Sequence, residues 1–403
     1  MYDWANSAFA TTVMAAILPV YYSRVAGSGL PGNKATVYWG YTTAIALLIT
    51  SFIAPVLGAV SDFCGARKKY LMTLASLGIL STALLFFVKS GDWFIASLFF
   101  IAGNIGFSTS EVFYNSMLPS VAKPGDLHRV STLGYALGYL GGGILLAVNV
   151  LMINVIDDKP LASRLCFLSV SLWWAVFTIP LVLTYKDNKR QKRLDGKLLP
   201  FYAGYRRIRR TFNEIKKYRN LLLFLIAFWI YNDGIGTIIK MATIYGSEIG
   251  IGTRDLIGAL LMTQFVGIPF SIIFGRMAYL IGTKRSIYIG LIIYSLISVG
   301  AYYMSEGIHF WILAFCVAIV QGGTQALSRS FFGQMVPAGK AAEFFGFYGM
   351  SSKFAGIFGP LIFAVVGQLT GNSRFSILSL IIFFIAGCAI LSRVRDERIQ
   401  AEY

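Results

Sequence analysis

Charge is scarce in this chain: only 13% of its 403 residues are Asp, Glu, Lys or Arg, against about a quarter in a soluble globular protein. Too little polar surface remains to cover a water-facing globule, since 56% of the residues are hydrophobic and the mean hydropathy is +0.67. Histidine is nearly missing too. His128 and His309 lie far apart near the ends of apolar runs, which leaves no zinc site and no metal or cofactor expectation. The four cysteines (Cys64, Cys166, Cys316 and Cys388) are scattered, without metal or redox spacing, and three fall inside apolar runs as packing residues. No basic stretch with a short apolar core opens the chain as a signal peptide would. Trp4 to Ser23 is already an uncharged span, so the chain begins almost inside a helix.

What is present is a series of long apolar runs. A bilayer-spanning helix needs about 20 such residues, and twelve candidates fall near 3–24, 35–60, 70–88, 92–118, 130–156, 165–185, 220–246, 256–275, 286–305, 308–336, 342–371 and 375–392. The runs are too long for barrel strands and do not alternate. The expected fold is therefore an all-α membrane protein of twelve transmembrane helices in two six-helix halves, 1–185 and 220–403.

The net charge of +17 points away from nucleic acid because of where it sits. With both termini and the even-to-odd loops on one side, that side carries 25 Lys/Arg and the other seven. The positive-inside rule then puts both termini in the cytoplasm of a cell membrane. The one long loop, 186–219, has Phe201, Tyr205, Ile208, Phe212 and Ile215 at helical steps with arginines between them. That pattern predicts a basic amphipathic helix on the cytoplasmic lipid surface, with a plain solvated linker as the alternative.

The halves repeat. Gly58-Ala-Val-Ser-Asp62-Phe-Cys-Gly65-Ala-Arg67-Lys68 follows span two, and Gly275-Arg-Met-Ala-Tyr279-Leu-Ile-Gly282-Thr-Lys284-Arg285 follows span eight, displaced by 217 residues. Glu111 to Pro119 in span four and Arg329 to Pro337 in span ten match at a displacement of 218. Two matches at nearly one offset indicate parallel halves related by an axis along the membrane normal.

The Gly58–Lys68 loop resembles the signature loop of the major facilitator superfamily, and Tyr2-Asp3-Trp4-Ala5-Asn6-Ser7-Ala8-Phe9 with Tyr231-Asn232-Asp233-Gly234 resembles its vacuolar amino-acid effluxer-like branch. The resemblance implies alternating access by rocking of the halves, with spans one, four, seven and ten lining a cavity. It also implies a cytoplasmic latch made by Gly58, Asp62, Gly65, Arg67 and Lys68, in which Asp62 accepts from the start of span eleven near Ala341. Orientation alone also accounts for Arg67 and Lys68.

Ionisable groups inside a span cost at least about 2.5–3.5 kcal/mol at a helix centre and default to function. Five qualify: Glu111, Asp233, Lys240, Arg329 and Lys353. Asp233 lies about 18 Å into span seven and Lys240 two turns further on the same face. Two acids and three bases suit a zwitterionic or anionic, amino-acid-like small molecule, with Asn6 as a neutral donor or acceptor. Asp233 and Glu111 are the candidates for carrying a proton. Scaffolding ion pairs are the plainer reading of each charge. Gly134, Gly138 and Gly141–Gly143 in span five, and Gly346, Gly349, Gly356 and Gly359 in span eleven, allow close helix approach.

Gly27–Gly32 matches a dinucleotide-loop spacing, but no strand precedes it and Pro31 interrupts it, so it reads as a turn. No nucleophile constellation supports an enzyme. The expected partners are the solute, membrane lipids and protons, with the chain acting as a monomer. The rival readings are a carrier of lipid or another amphipathic metabolite, and a non-transporting receptor or scaffold.

Overall fold

In lipid every backbone polar group must be satisfied within its own segment, which a helix does. Long apolar runs therefore become helices, and no strand occurs among the described residues. The computed structural model describes residues 1–64, 67–121, 127–185, 209, 212–336, 344, 347–349 and 356–395; of 54–64, 67, 115–116, 118–121, 127–136, 271–272 and 279 it describes the backbone alone. The helices are α1 Tyr2–Ala26, α2 Lys34–Cys64, α3 Arg67–Leu84, α4 Trp93–Val121, α5 Leu127–Val155, α6 Lys159–Thr184, α7 Arg219–Glu248, α8 Thr253–Ile281, α9 Thr283–Tyr302, α10 Gly307–Met335, α11 Phe358–Thr370 and α12 Ser373–Ser392. Among the described residues eleven of these are long and apolar enough to cross a membrane, and the shorter α11 takes the remaining place in the twelve-helix order.

The chain forms two compact units, Met1–Arg206 and Arg207–Tyr403. In the first, α1 packs on α5 and α6, and α4 on α2 and α3. In the second, α7 packs on α11 and α12, and α10 on α8 and α9. Each pairing in one unit has its counterpart in the other six helices later.

Small residues set how closely these helices approach. In the first unit a Cβ on Gly106 would strike the Gly78 backbone, so α3 and α4 touch main chain to main chain. In the second unit the Thr324 hydroxyl stands against Gly290 between α9 and α10. Serine and threonine fill the interior, with Thr12, Ser110, Thr237, Ser286 and Ser328 all buried. Large apolar side chains such as Phe52, Leu80, Leu151, Leu183, Leu280 and Ile382 face outward. That inversion of a soluble protein's surface is what a lipid solvent permits.

Two elements depart from the plain spans expected. Span α1 is not uniformly α-helical: Phe9–Ala16 and Tyr22–Ala26 have π geometry. The run read as one span over 342–371 shows a turn at Gly356–Ile357, after which α11 starts afresh at Phe358.

The described end of the basic linker turns its apolar side to protein. Ile215 is fully buried, Phe212 stacks on Phe347 with ring centroids 6.1 Å apart, and Tyr218 meets Phe344 edge-on at 6.0 Å. Phe212 and Ile215 of the expected lipid-facing stripe thus make protein contacts within the second unit. Phe201, Tyr205 and Ile208 lie outside the described residues.

Candidate functional site

The second unit contains the more polar joint. Asp233 sits in the middle of α7 with only 2% of its surface exposed. Its Oδ2 accepts the backbone N–H of Gly359 at 2.8 Å, in the first turn of α11. The side chain thus serves as an N-terminal cap supplied from another helix, satisfying a donor that α11 cannot satisfy itself. Its other oxygen, Oδ1, is buried and has no hydrogen-bond partner among the described residues.

The fit at this joint depends on glycine. A Cβ on Gly359 would fall on Thr237 Oγ1 and stand 2.6 Å from Asp233 Oδ1. Thr237 Oγ1 itself donates to the Asp233 carbonyl at 2.7 Å, one turn back along α7. One residue along, a Cβ on Gly234 would stand 2.9 Å from Phe383 Cβ, and one on Gly387 would stand 2.8 Å from Tyr231 Cβ, so α7 and α12 are equally close.

Lys240 interacts electrostatically with Asp233. It folds back along α7, placing Nζ 3.6 Å from where a side chain on Gly236 would begin. The seven-residue spacing sets Asp233 and Lys240 two turns apart on α7, with Asp233 buried against α11 and Lys240 half-buried. Arg329 is exposed on α10 and interacts electrostatically with Tyr348. Lys353 lies outside the described residues.

In the first unit Glu111 is joined by a second carboxylate, Asp3, that the sequence reading did not single out as a site residue. Tyr114 donates to Asp3 Oδ2 at 2.6 Å, and Glu111 on α4 is half-exposed and electrostatically linked to both Asp3 and Tyr2. The available signal was Asp3's place in the Tyr2-Asp3-Trp4 motif, beside residues that were noted. Asn6 is buried in α1. Farther along α1, the π segment Phe9–Ala16 is tied by Thr11 Oγ1 donating to the Gly142 carbonyl at 3.3 Å and by Asn149 Nδ2 donating to Thr12 Oγ1 at 3.5 Å.

The repeat reaches individual contacts. Tyr2 donates to Ser110 Oγ at 2.8 Å, and the Tyr231 and Ser328 hydroxyls are bonded at 2.6 Å. The serines are 218 residues apart and immediately precede Glu111 and Arg329, while the tyrosines are 229 apart. By the same two offsets, Gly141 corresponds to Gly359 and Trp4 to Asp233. A Cβ on Gly141 would lie 2.6 Å from the Trp4 carbonyl, as one on Gly359 would lie 3.0 Å from the Asp233 carbonyl. The frame is common to both units, but the side chain at the joint is not. Trp4 stacks on Trp173 with centroids 5.7 Å apart, whereas Asp233 caps a helix.

For the proposed latch, Gly58 and Asp62 lie near the end of α2, and Arg67 and Lys68 at the start of α3. Gly65, Ala341 and the side chains of Asp62 and Arg67 lie outside the described residues.

Twelve helices in two repeated sets of six are the architecture of a major facilitator superfamily transporter. The solved D-xylose–proton symporter superposes with a TM-score of 0.75 over 98% of this chain and 95% of its own, at 14% identity. The nucleoside transporter NupG does so with a TM-score of 0.68 over 100% and 98%, at 12% identity. The MFS-type transporter YxiO of Bacillus subtilis is 41% identical over 98% of this chain and 94% of its own length. The chain is accordingly a transporter of that superfamily, not an enzyme. Within it, a family model described as "Vacuole effluxer Atg22 like" matches residues 30–127 and 122–403, and the chain belongs to that family. Autophagy-related protein 22-1 of Penicillium rubens is a more distant relative, 24% identical over 91% of this chain and 78% of its own.

Proposed function

We propose that the chain carries a small zwitterionic or anionic solute, amino-acid-like in its charges, across a prokaryotic cell membrane by alternating access of its two halves, driven by protons. The observation that carries this reading is the buried Asp233, one of whose oxygens has no hydrogen-bond partner among the described residues, electrostatically coupled to Lys240 on the same span. Charges of opposite sign held in lipid are costly and are retained where a solute or ion passes. Glu111, Arg329, Lys353 and Asn6 complete the proposed set. In it, basic groups meet a carboxylate and acidic groups meet an amine or a proton. The family of vacuole effluxers supports a role in moving a solute, and the amino-acid-like class rests on the mixed signs of these charges. The excess of Lys and Arg on one side supports termini in the cytoplasm, where Gly58, Asp62, Gly65, Arg67 and Lys68 would form the latch.

The test is uptake into liposomes containing purified protein, screened over amino acids and short peptides with and without an inward proton gradient. Accumulation that needs the gradient is the expected result. If no amino acid or peptide moves under either condition, the solute class is wrong.

A further inference from the structure

Helix α11 begins at Phe358 beside the middle of α7, and the Gly359 N–H of its first turn donates to Asp233. The positive end of a helix favours an anion there, and Asp233 supplies one through Oδ2. A carboxylate has two oxygens, however, and Oδ1 is buried without a hydrogen-bond partner among the described residues. A side chain needed only as a cap requires one acceptor, which a serine or asparagine also provides. Among the described residues no donor meets the second oxygen of this buried carboxylate in hydrogen-bond geometry, and the smallest occupant that would supply a hydrogen there is a proton. The corresponding joint of the first unit has the same glycine contact but places Trp4 there, so close packing alone does not require an acid.

We propose that Asp233 Oδ1 is a proton-binding site whose occupancy sets the strength of the joint between α7 and α11. The step is a protonation: one proton from water bonds to Oδ1, the carboxylate becomes a neutral carboxyl, and no other bond is made or broken. Ionised, Asp233 holds the Gly359 N–H through a charge-assisted bond; protonated, Oδ2 accepts as a neutral carbonyl, with roughly half the strength. The dipole attraction at the helix end goes with the charge. Loading the proton therefore loosens α11 from α7, and releasing it draws them together. Lys240 is the charged group coupled to this carboxylate from its own helix. Phe358–Thr370 and the adjoining Ile381–Gly387 of α12 contain no ionisable side chain, and the Tyr231 hydroxyl is committed to Ser328.

The proposal deepens the proton-driven reading above, but its test needs no solute, so a failed flux screen and a failed switch are separate results. Wild-type protein and Asp233→Asn, an isostere that keeps an acceptor for Gly359 but takes no proton, are placed in lipid vesicles free of sodium. Backbone amide exchange at Gly359 is compared between the two at each pH, and infrared difference spectra follow the carbonyl stretch of protonated carboxyls. Under alkaline conditions the wild-type Gly359 amide should be about tenfold better protected than in the variant. The ratio should fall toward one on acidification, as a carboxyl band absent from Asp233→Asn appears. A ratio constant with pH, or no such band, overturns the proposal. A ratio that responds to added sodium but not to acid overturns it in favour of a metal cation. Gly359→Ala, whose methyl group would stand against Thr237 Oγ1 and 2.6 Å from Asp233 Oδ1, should lose the protection and shift the band; a band left at its wild-type position would mean that the protonated oxygen is not Oδ1, and the assignment falls.

Discussion

The first and second units use one set of helix contacts to hold two different chemistries. Tyr2–Ser110 and Tyr231–Ser328 are the same hydrogen bond twice, and Gly141 and Gly359 bring matching helices equally close. At the joint those contacts frame, the first unit places stacked indoles and the second a buried carboxylate on a helix end. One position further along α4 and α10 the difference becomes one of sign, Glu111 against Arg329. The lesson is that the repeat sets geometry while the departures from it mark chemistry. A residue buried in one unit where its counterpart is apolar is the better candidate for a role in transport.

That comparison can be broken most severely at the glycines. Gly359→Ala puts a methyl group onto Thr237 Oγ1 and near Asp233 Oδ1, an overpacking that costs about 1–3 kcal/mol. Gly141→Ala should cost a similar amount, because its clash is with the Trp4 backbone, which cannot rotate away. Thermal unfolding of detergent-solubilised protein measures both, and a neutral Gly141→Ala would separate the two joints. A functional contrast comes next. Asp233→Asn should abolish gradient-driven uptake with the fold intact by size-exclusion chromatography, whereas Trp4→Phe, which keeps an aromatic stack, should retain uptake. Full activity in Asp233→Asn would reduce Asp233 to a cap. The smallest effect tests the common frame: Tyr2→Phe and Tyr231→Phe each remove one hydroxyl bond, worth about 1 kcal/mol. Their losses should agree, and a large inequality would show that the two bonds are not equivalents.

The sequence made the spans legible because lipid demands uninterrupted apolar runs, and it made the repeat legible because Gly58–Lys68 and Glu111–Pro119 kept their spacing in the second half. It also singled out Asp233 and Lys240, since a charge in an apolar run stands out in one dimension. What it concealed was partnership. Gly359 lies 126 residues from Asp233 and looks like any small residue in a glycine-rich span until α11 is seen to restart beside it. Asp3 escaped notice because it stands at the head of the first apolar run, where a charge carries no obvious penalty, and Tyr114 is 111 residues away. The offset of 229 for the tyrosines, against 218 elsewhere, hid the correspondence of Trp4 with Asp233.

Those extra residues in α1 have a mechanical side. A tyrosine near the far end of each first helix donates to a main-chain carbonyl near the end of a neighbouring helix, Tyr21 to Val88 and Tyr245 to Ala301, both at 2.7 Å. From Tyr2 to Tyr21 is 19 residues, whereas from Tyr231 to Tyr245 is 14. The π segments take up part of that excess in wider turns. Span α1 thus fits more residues than α7 between matching tyrosine anchors, so deleting one residue from Phe9–Ala16 should disturb the fold less than deleting one between Tyr231 and Tyr245, as thermal unfolding would show.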